Sequence, residues 1–197
     1  MNKTRLETFS DGVLAIIITI MVLEFKVPHG FELDDLRPLI PQFLSYILSF
    51  IYLAIYWNNH HHMMHTVKRV TGGILWANLH LLFWLSLVPF TTAWMGENNF
   101  KQMPMALYGI VLLMAAIAYF ILQKQIIKNH GTDSILARAI GKDYKGKISP
   151  ILYALAIGSC WINQWMAAFI YILVTFIWLI PDRRIEIIFK KEEADRQ

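Results

Sequence analysis

The sequence predicts an all-α membrane protein of six transmembrane helices, on three observations. Hydrophobic residues make up 56% of the 197-residue chain and charged residues 16%, against about 45–50% and 25% in soluble globular domains. The apolar residues gather into runs long enough to cross a hydrocarbon core of about 30 Å. Pro28, Pro38, Pro41, Pro104, Pro150 and Pro181 fall at or near the ends of those runs, where a missing N–H costs little. A soluble enzyme is excluded, and the length leaves no room for a second folded domain outside the bilayer. The single cysteine, Cys160, rules out a disulfide framework and a Cys-based zinc site and reads as core filling.

The first four spans are expected at Phe9–Phe25, Leu39–Trp57, Ile74–Met95 and Met103–Ile127. Pro89 alone lies inside a span, so a kink is expected there. The run Ile148–Ile180 is too long for one crossing and is broken by Asn163 and Gln164 between Trp161 and Trp165. Aromatic rings collect at headgroup depth, so a tight turn is expected there, with a fifth helix over Lys147–Ile162 and a sixth over Trp165–Pro181. A membrane domain over residues 1–181 and a tail over 182–197 follow. Asp11 interrupts the first apolar run and no small-x-small site follows Leu23, so that run reads as a retained helix and not a cleaved signal peptide.

Six crossings put both termini on one side. The N-terminus, the second and fourth connections and the tail hold fifteen of the eighteen basic residues, leaving only Lys26, Arg37 and Lys101 opposite. Both termini are therefore expected in the cytoplasm. The first outer loop carries Glu32, Asp34 and Asp35; such a face concentrates cations, and it also reads as a plain solvated loop. Asn129–Lys147 reads as a basic, solvated cytoplasmic linker near anionic lipid. Because the positive charge follows membrane sidedness, nucleic acid is not an expected partner.

The first helix holds the most information. Arg5 and Asp11 are ionisable groups on an otherwise apolar span, and such groups face other helices or a water-filled path. At 100° per residue, Arg5, Gly12, Ile16, Thr19 and Leu23 share one narrow face with Ile20 at its edge, while Ser10 and Asp11 point elsewhere. Copies of this seam meeting at a symmetry axis would form apolar rings that limit ion passage by dewetting. An Ile/Leu stripe of this kind also reads as ordinary helix packing.

The segment Arg5-Leu6-Glu7-Thr8-Phe9-Ser10-Asp11-Gly12 resembles the R-x-x-x-F-S-D signature of the transmembrane protein 175 family of potassium channels, bacterial branch. The similarity continues through Ala15–Glu24 and, more weakly, through Trp57-x-x-His60-His61, Leu75-Trp76-Ala77-Asn78-Leu79 and Pro89-Phe90-Thr91. The resemblance implies a homotetramer in the bacterial cell membrane, its central pore lined by the four first helices. Only one F-S-D motif is present, as in family members with one six-helix unit per chain. It implies that Ile16 forms the narrowest point, that Ile20 and Leu23 add apolar rings, and that the Thr19 hydroxyl faces the path. The implied function is passive, potassium-preferring permeation without a cofactor, with proton passage also reported among lysosomal members. No T-V-G-Y-G carbonyl filter is present.

By the same resemblance, Ser10 and Asp11 tie the first helix to its neighbours. Asn78 and His80, with Trp76 nearby, are the expected donors, since a buried carboxylate needs them. Arg5 is expected in this network or at the internal mouth, and Phe9 completes the signature. His61 and His65, one helical turn apart, suit a metal ion or a pH sensor. Histidines at a helix end also simply meet its last carbonyls, and no metal site is assigned. Neither H-E-x-x-H nor G-x-S-x-G occurs, so no enzymatic activity is expected. The competing class is a secondary transporter of cations or protons, which would show internal repeats and broken helices around a polar midplane site.

Overall fold

The computed structural model describes residues 2–131, 134–140 and 143–179, and among these the chain is helical with no strands. The helices are α1 (Lys3–Leu23), α2 (Ile40–His65), α3 (Gly72–Ser86), α4 (Val88–Glu97), α5 (Gln102–His130), α6 (Ile135–Ile140), α7 (Tyr144–Ser159) and α8 (Gln164–Leu179); a 3-10 helix over Leu33–Leu39 leads into α2. Four segments are long and apolar enough to cross a membrane: Lys3–Leu23, Leu33–His65, Gly72–Glu97 and Gln102–His130. They correspond to the four clear apolar runs of the sequence.

The third run divides where the proline requires it. Pro89 has no N–H to return to Leu85, and Leu87 N–H instead closes a tighter turn on Trp84 O at 3.2 Å. Helix α3 ends there, and α4 restarts with Pro89 in its first turn. Helices α7 and α8 have 16 residues each, about 24 Å at 1.5 Å per residue. Between them, Asn163 N–H returns to Ser159 O at 2.8 Å, and the Asn163 side chain accepts from Trp165 N–H at 2.9 Å. Trp161 and Trp165 flank this turn, exposed as an interfacial pair would be. The expected end of the sixth helix at Pro181, the tail over 182–197, and Lys142, Arg183, Arg184, Lys190, Lys191 and Arg196 lie outside the described residues.

The fourth connection differs from the solvated linker expected. Helix α5 runs on to His130, α6 follows, and α7 starts at Tyr144, three residues before the expected boundary. Leu136 and Ala139, one turn apart, bury themselves against the core, which gives α6 its reason to form. Asp143, in the left-handed region at φ 41°, caps α7 by accepting from Gly146 N–H at 3.1 Å.

Two apolar cores share α5. One joins α1, α2, α3 and α6 through side chains such as Leu14, Leu53, Leu81 and Leu122; the other joins α7 and α8 through Tyr108, Tyr153, Ala156 and Tyr171, and takes in Cys160. Buried hydroxyls in the second find backbone partners: Tyr52 donates to Tyr171 O at 2.6 Å and Tyr171 to Met105 O at 3.0 Å. Gly109 lets α8 approach, since a Cβ there would collide with the Tyr171 hydroxyl. Among the described residues, helix α1 packs chiefly on α2, α3 and α4, at the edge of the bundle.

Candidate pore helix and its anchoring network

Helix α1 starts at Asn2, whose side chain accepts from Thr4 N–H at 3.2 Å. Its buried residues, Leu6, Ser10, Leu14, Ile17 and Met21, recur at helical spacing and face the bundle. The opposite face is left open. Ile16 is 58% exposed, Ile20 39% and Leu23 80%, and Arg5, Gly12 and Thr19 are exposed with them. The seam separated by helical geometry is therefore the face that the single chain does not cover. Thr19 Oγ1 lies within hydrogen-bond reach of two carbonyls of its own helix, Ile16 O at 2.9 Å and Ala15 O at 3.1 Å. Beside the seam runs a wide groove of about 420 Å³, lined by Ile16 and Ile20 from α1, by Glu24 at its C-cap, and by Ser86, Pro89 and Phe90 from α3 and α4.

A buried polar junction sets the rotation of α1. Asn78 Nδ2 donates to Ser10 Oγ at 2.9 Å, Ser10 Oγ donates to Leu6 O at 2.9 Å, and Asn78 Oδ1 accepts from His60 Nε2 at 2.7 Å. Ser10, Asn78 and His60 are all buried, and they come from α1, α3 and α2. A satisfied network of this kind favours a single register, because any slip leaves unpaired groups in a low dielectric.

Asp11 has a different partner from those expected. Its Oδ1 accepts from Trp57 Nε1 at 2.9 Å, with both residues exposed in the single chain. The Trp57 ring stacks on His61, centroids 5.9 Å apart. His80 instead accepts from Trp84 Nε1 at 2.9 Å, one turn along its own helix, and Trp76 is 75% exposed. Neither reaches Asp11, because 100° per residue carries both away from the face on which Asn78 meets α1. Phe9 and Arg5 are exposed, and Arg5 forms no ion pair among the described residues. Of the expected network, Ser10 and Asn78 are joined; His60 and Trp57 are the members that sequence reasoning left out. The Trp57-x-x-His60 spacing, which puts both on one face of α2, was the available signal.

His61 and His65 lie edge to face with centroids 4.8 Å apart. Among the described residues no three metal-ligating side chains converge. On the opposite side of the bundle, Lys26 pairs with Glu97 at 3.0 Å and Arg37 with Asp34 at 3.0 Å.

A bundle whose described residues form helices, four of the segments long and apolar enough to cross a membrane, defines a multi-pass membrane protein. The family model described as endosomal/lysosomal potassium channel TMEM175 matches residues 5–89, the segment that holds α1 and the anchoring network. A potassium channel of a Chryseobacterium species is 59% identical over 186 residues, 94% of this chain and 97% of that protein. The mouse endosomal/lysosomal proton channel TMEM175 is 28% identical over 132 residues, 61% of this chain and 26% of the mouse protein. The crystal structure of a lysosomal potassium-selective channel TMEM175 homolog from Chamaesiphon minutus superposes with a TM-score of 0.79 at 29% identity, covering 91% of this chain and 97% of that one. The chain belongs to the TMEM175 family.

Proposed function

We propose that this chain is one subunit of a passive potassium-selective channel, in which four copies surround a pore lined by the exposed face of α1. The single observation that carries the reading is the division of α1 into a face pinned by Ser10 and an uncovered face bearing Ile16, Thr19, Ile20 and Leu23. The names of its bacterial relatives, potassium channels, support the ion. In this reading Ile16 forms the constriction, Ile20 and Leu23 form further apolar rings, and the Thr19 oxygens offer the ion weak ligands between them. Passage is downhill and uses no cofactor.

The same reading makes α7 and α8 the fifth and sixth spans, short but flanked by the Trp161/Trp165 turn. Residues 1–181 form the channel domain and 182–197 a cytoplasmic tail. Both termini face the cytoplasm of a bacterial cell, on the side where the basic residues gather. The Ser10–Asn78–His60 junction and the Asp11–Trp57 bond hold α1 in register against its own subunit.

Potassium flux into liposomes containing the purified chain, with sodium and proton gradients as controls, tests the function. Uptake driven by the potassium gradient alone is expected, faster than for sodium. Uptake that needs a countersubstrate would assign the chain to the secondary transporters. The proton arm also has a direct motive, because the vertebrate relatives are named proton channels.

A further inference from the structure

Two charged residues of opposite sign stand at the two ends of the uncovered face of α1. Arg5 lies on the seam itself. Glu24 follows Ile16 and Ile20 at four-residue steps, so the three form one row along the wall of the groove beside the seam. Arg5 and Glu24 are nineteen residues apart, which along a helix is about 28 Å, and a hydrocarbon core is about 30 Å thick. Each charge therefore sits near one end of whatever path the row and the seam line.

Both side chains are exposed, and neither has an ion pair or a side-chain hydrogen bond among the described residues. The charges closest to them along the chain are engaged elsewhere. Lys3 pairs with Glu7 at 3.7 Å, Asp11 accepts from Trp57 Nε1 at 2.9 Å, and Lys26 pairs with Glu97 at 3.0 Å. The two free charges also oppose the helix dipole. A helix favours carboxylates at its partly positive N-terminal end and cations at its partly negative C-terminal end. Helix α1 has no acidic residue in its first turn, where Arg5 lies, and no basic residue in its last, where Glu24 is the C-cap. Helix stability thus accounts for neither charge, and the dipole adds to the field of both: positive at the Arg5 end, negative at the Glu24 end.

We propose that Glu24 and Arg5 set the direction of permeation, so that potassium current is larger into the cell than out of it. Four copies of Glu24 form an acidic ring at the outer mouth, which raises the local cation concentration; four copies of Arg5 form a basic ring at the inner mouth, which lowers it. Inward current is then well supplied and outward current starved, although passage stays passive. The inference rests on the reading of α1 as the pore helix of a fourfold channel with its N-terminus in the cytoplasm.

Current–voltage curves from inside-out patches of cells expressing the full chain test the proposal, in symmetric potassium chloride with osmolarity held by sucrose. The two salt levels are about 0.01 M and about 1 M, where fixed charges act over about 30 Å and about 3 Å. At low salt, inward current should exceed outward current at equal and opposite voltages by roughly tenfold, the lower end of what charge steering adds to an entry rate. At high salt the two should be nearly equal. Glu24→Gln should lower the inward current alone, and Arg5→Gln should raise the outward current alone, each moving the ratio toward one. The salt dependence of the unmodified channel reads the effect even if Arg5→Gln fails to assemble. A linear curve at low salt would overturn the proposal, as would a larger outward current, rectification undiminished at high salt, or an unchanged ratio in conducting Glu24→Gln. Those outcomes leave the channel reading standing, whereas absence of potassium current from the unmodified chain would remove that reading and the charge rings with it.

Discussion

Helices α1 and α5 are both apolar enough to cross a bilayer, yet the bundle uses them in opposite ways. In α5 half of the most apolar stretch is buried, on faces turned toward two cores; in α1 only 28% is, along a single stripe. Apolarity alone does not separate these cases, because lipid, protein and a dewetted path all accept the same side chains. What separates them is where the polar residues fall. Helix α5 is packed by two cores, and its polar bonds, such as Tyr108 to Ser49 at 3.0 Å and Tyr171 to Met105 O at 3.0 Å, add to a position that packing already sets. Helix α1 has one packed stripe, and Ser10 at its centre replaces the missing contacts with a directional bond to Asn78. A helix held by polar bonds on one face can leave the other to an ion path.

The comparison can be broken on either side. The largest effect is expected from Asn78→Leu, which removes both bonds that Asn78 makes, leaving His60 Nε2 without a partner in the core and Ser10 with its bond to Leu6 O alone. A loss of about 3 kcal/mol or more in stability is expected, read as a lowered thermal midpoint and loss of a monodisperse peak in detergent. Gly109→Leu attacks α5 instead. The collision with Tyr171 should cost about 1–3 kcal/mol of overpacking, and surviving protein should conduct with unchanged ion preference, because α1 is not touched.

Ile16→Asn is expected to leave stability within about 0.5 kcal/mol, as for an exposed site, while ion preference erodes. A polar ring removes the dewetting barrier, and lowering it by about 1.4 kcal/mol raises conductance roughly tenfold. Bilayer recordings with unaltered conductance and selectivity would remove Ile16 from the constriction. Trp57→Phe keeps the stack on His61 but deletes the donor to Asp11, a change of about 1 kcal/mol; thermal melts of the single and double variants with Asp11→Asn isolate the bond as their coupling. Lys26→Met, which breaks only the exposed pair with Glu97, should shift stability by less than about 1 kcal/mol, and less still at high salt.

Much of this arrangement is legible in the residues themselves. The four long spans, a kink at Pro89 and the turn at Asn163 each follow from local patterns; the structure has the spans and the turn, sharpens the kink into a division between α3 and α4, and leaves the seam of α1 exposed. Ser10 and Asn78 could be paired because both are polar residues on apolar helices. The partner of Asp11 could not be read the same way. His80 and Trp76 share a helix with Asn78, but only the rotation of α3 decides which of them faces α1, and that rotation is a property of the packed bundle. Trp57 and His60 were visible as a spaced pair on α2 without any sign of which helix they meet. Helix α6 was missed because its polar and glycine neighbours outweighed the short pattern of Leu136 and Ala139.

The reading of α1 as the pore helix has a direct test in cysteine accessibility. In a chain carrying Cys160→Ala, Ile16→Cys and Leu23→Cys should lose potassium current on exposure to a positively charged methanethiosulfonate reagent, while Leu14→Cys, on the buried stripe, should keep it. Current lost at Leu14→Cys and retained at Ile16→Cys and Leu23→Cys would contradict the assignment of the exposed face of α1 to the ion path.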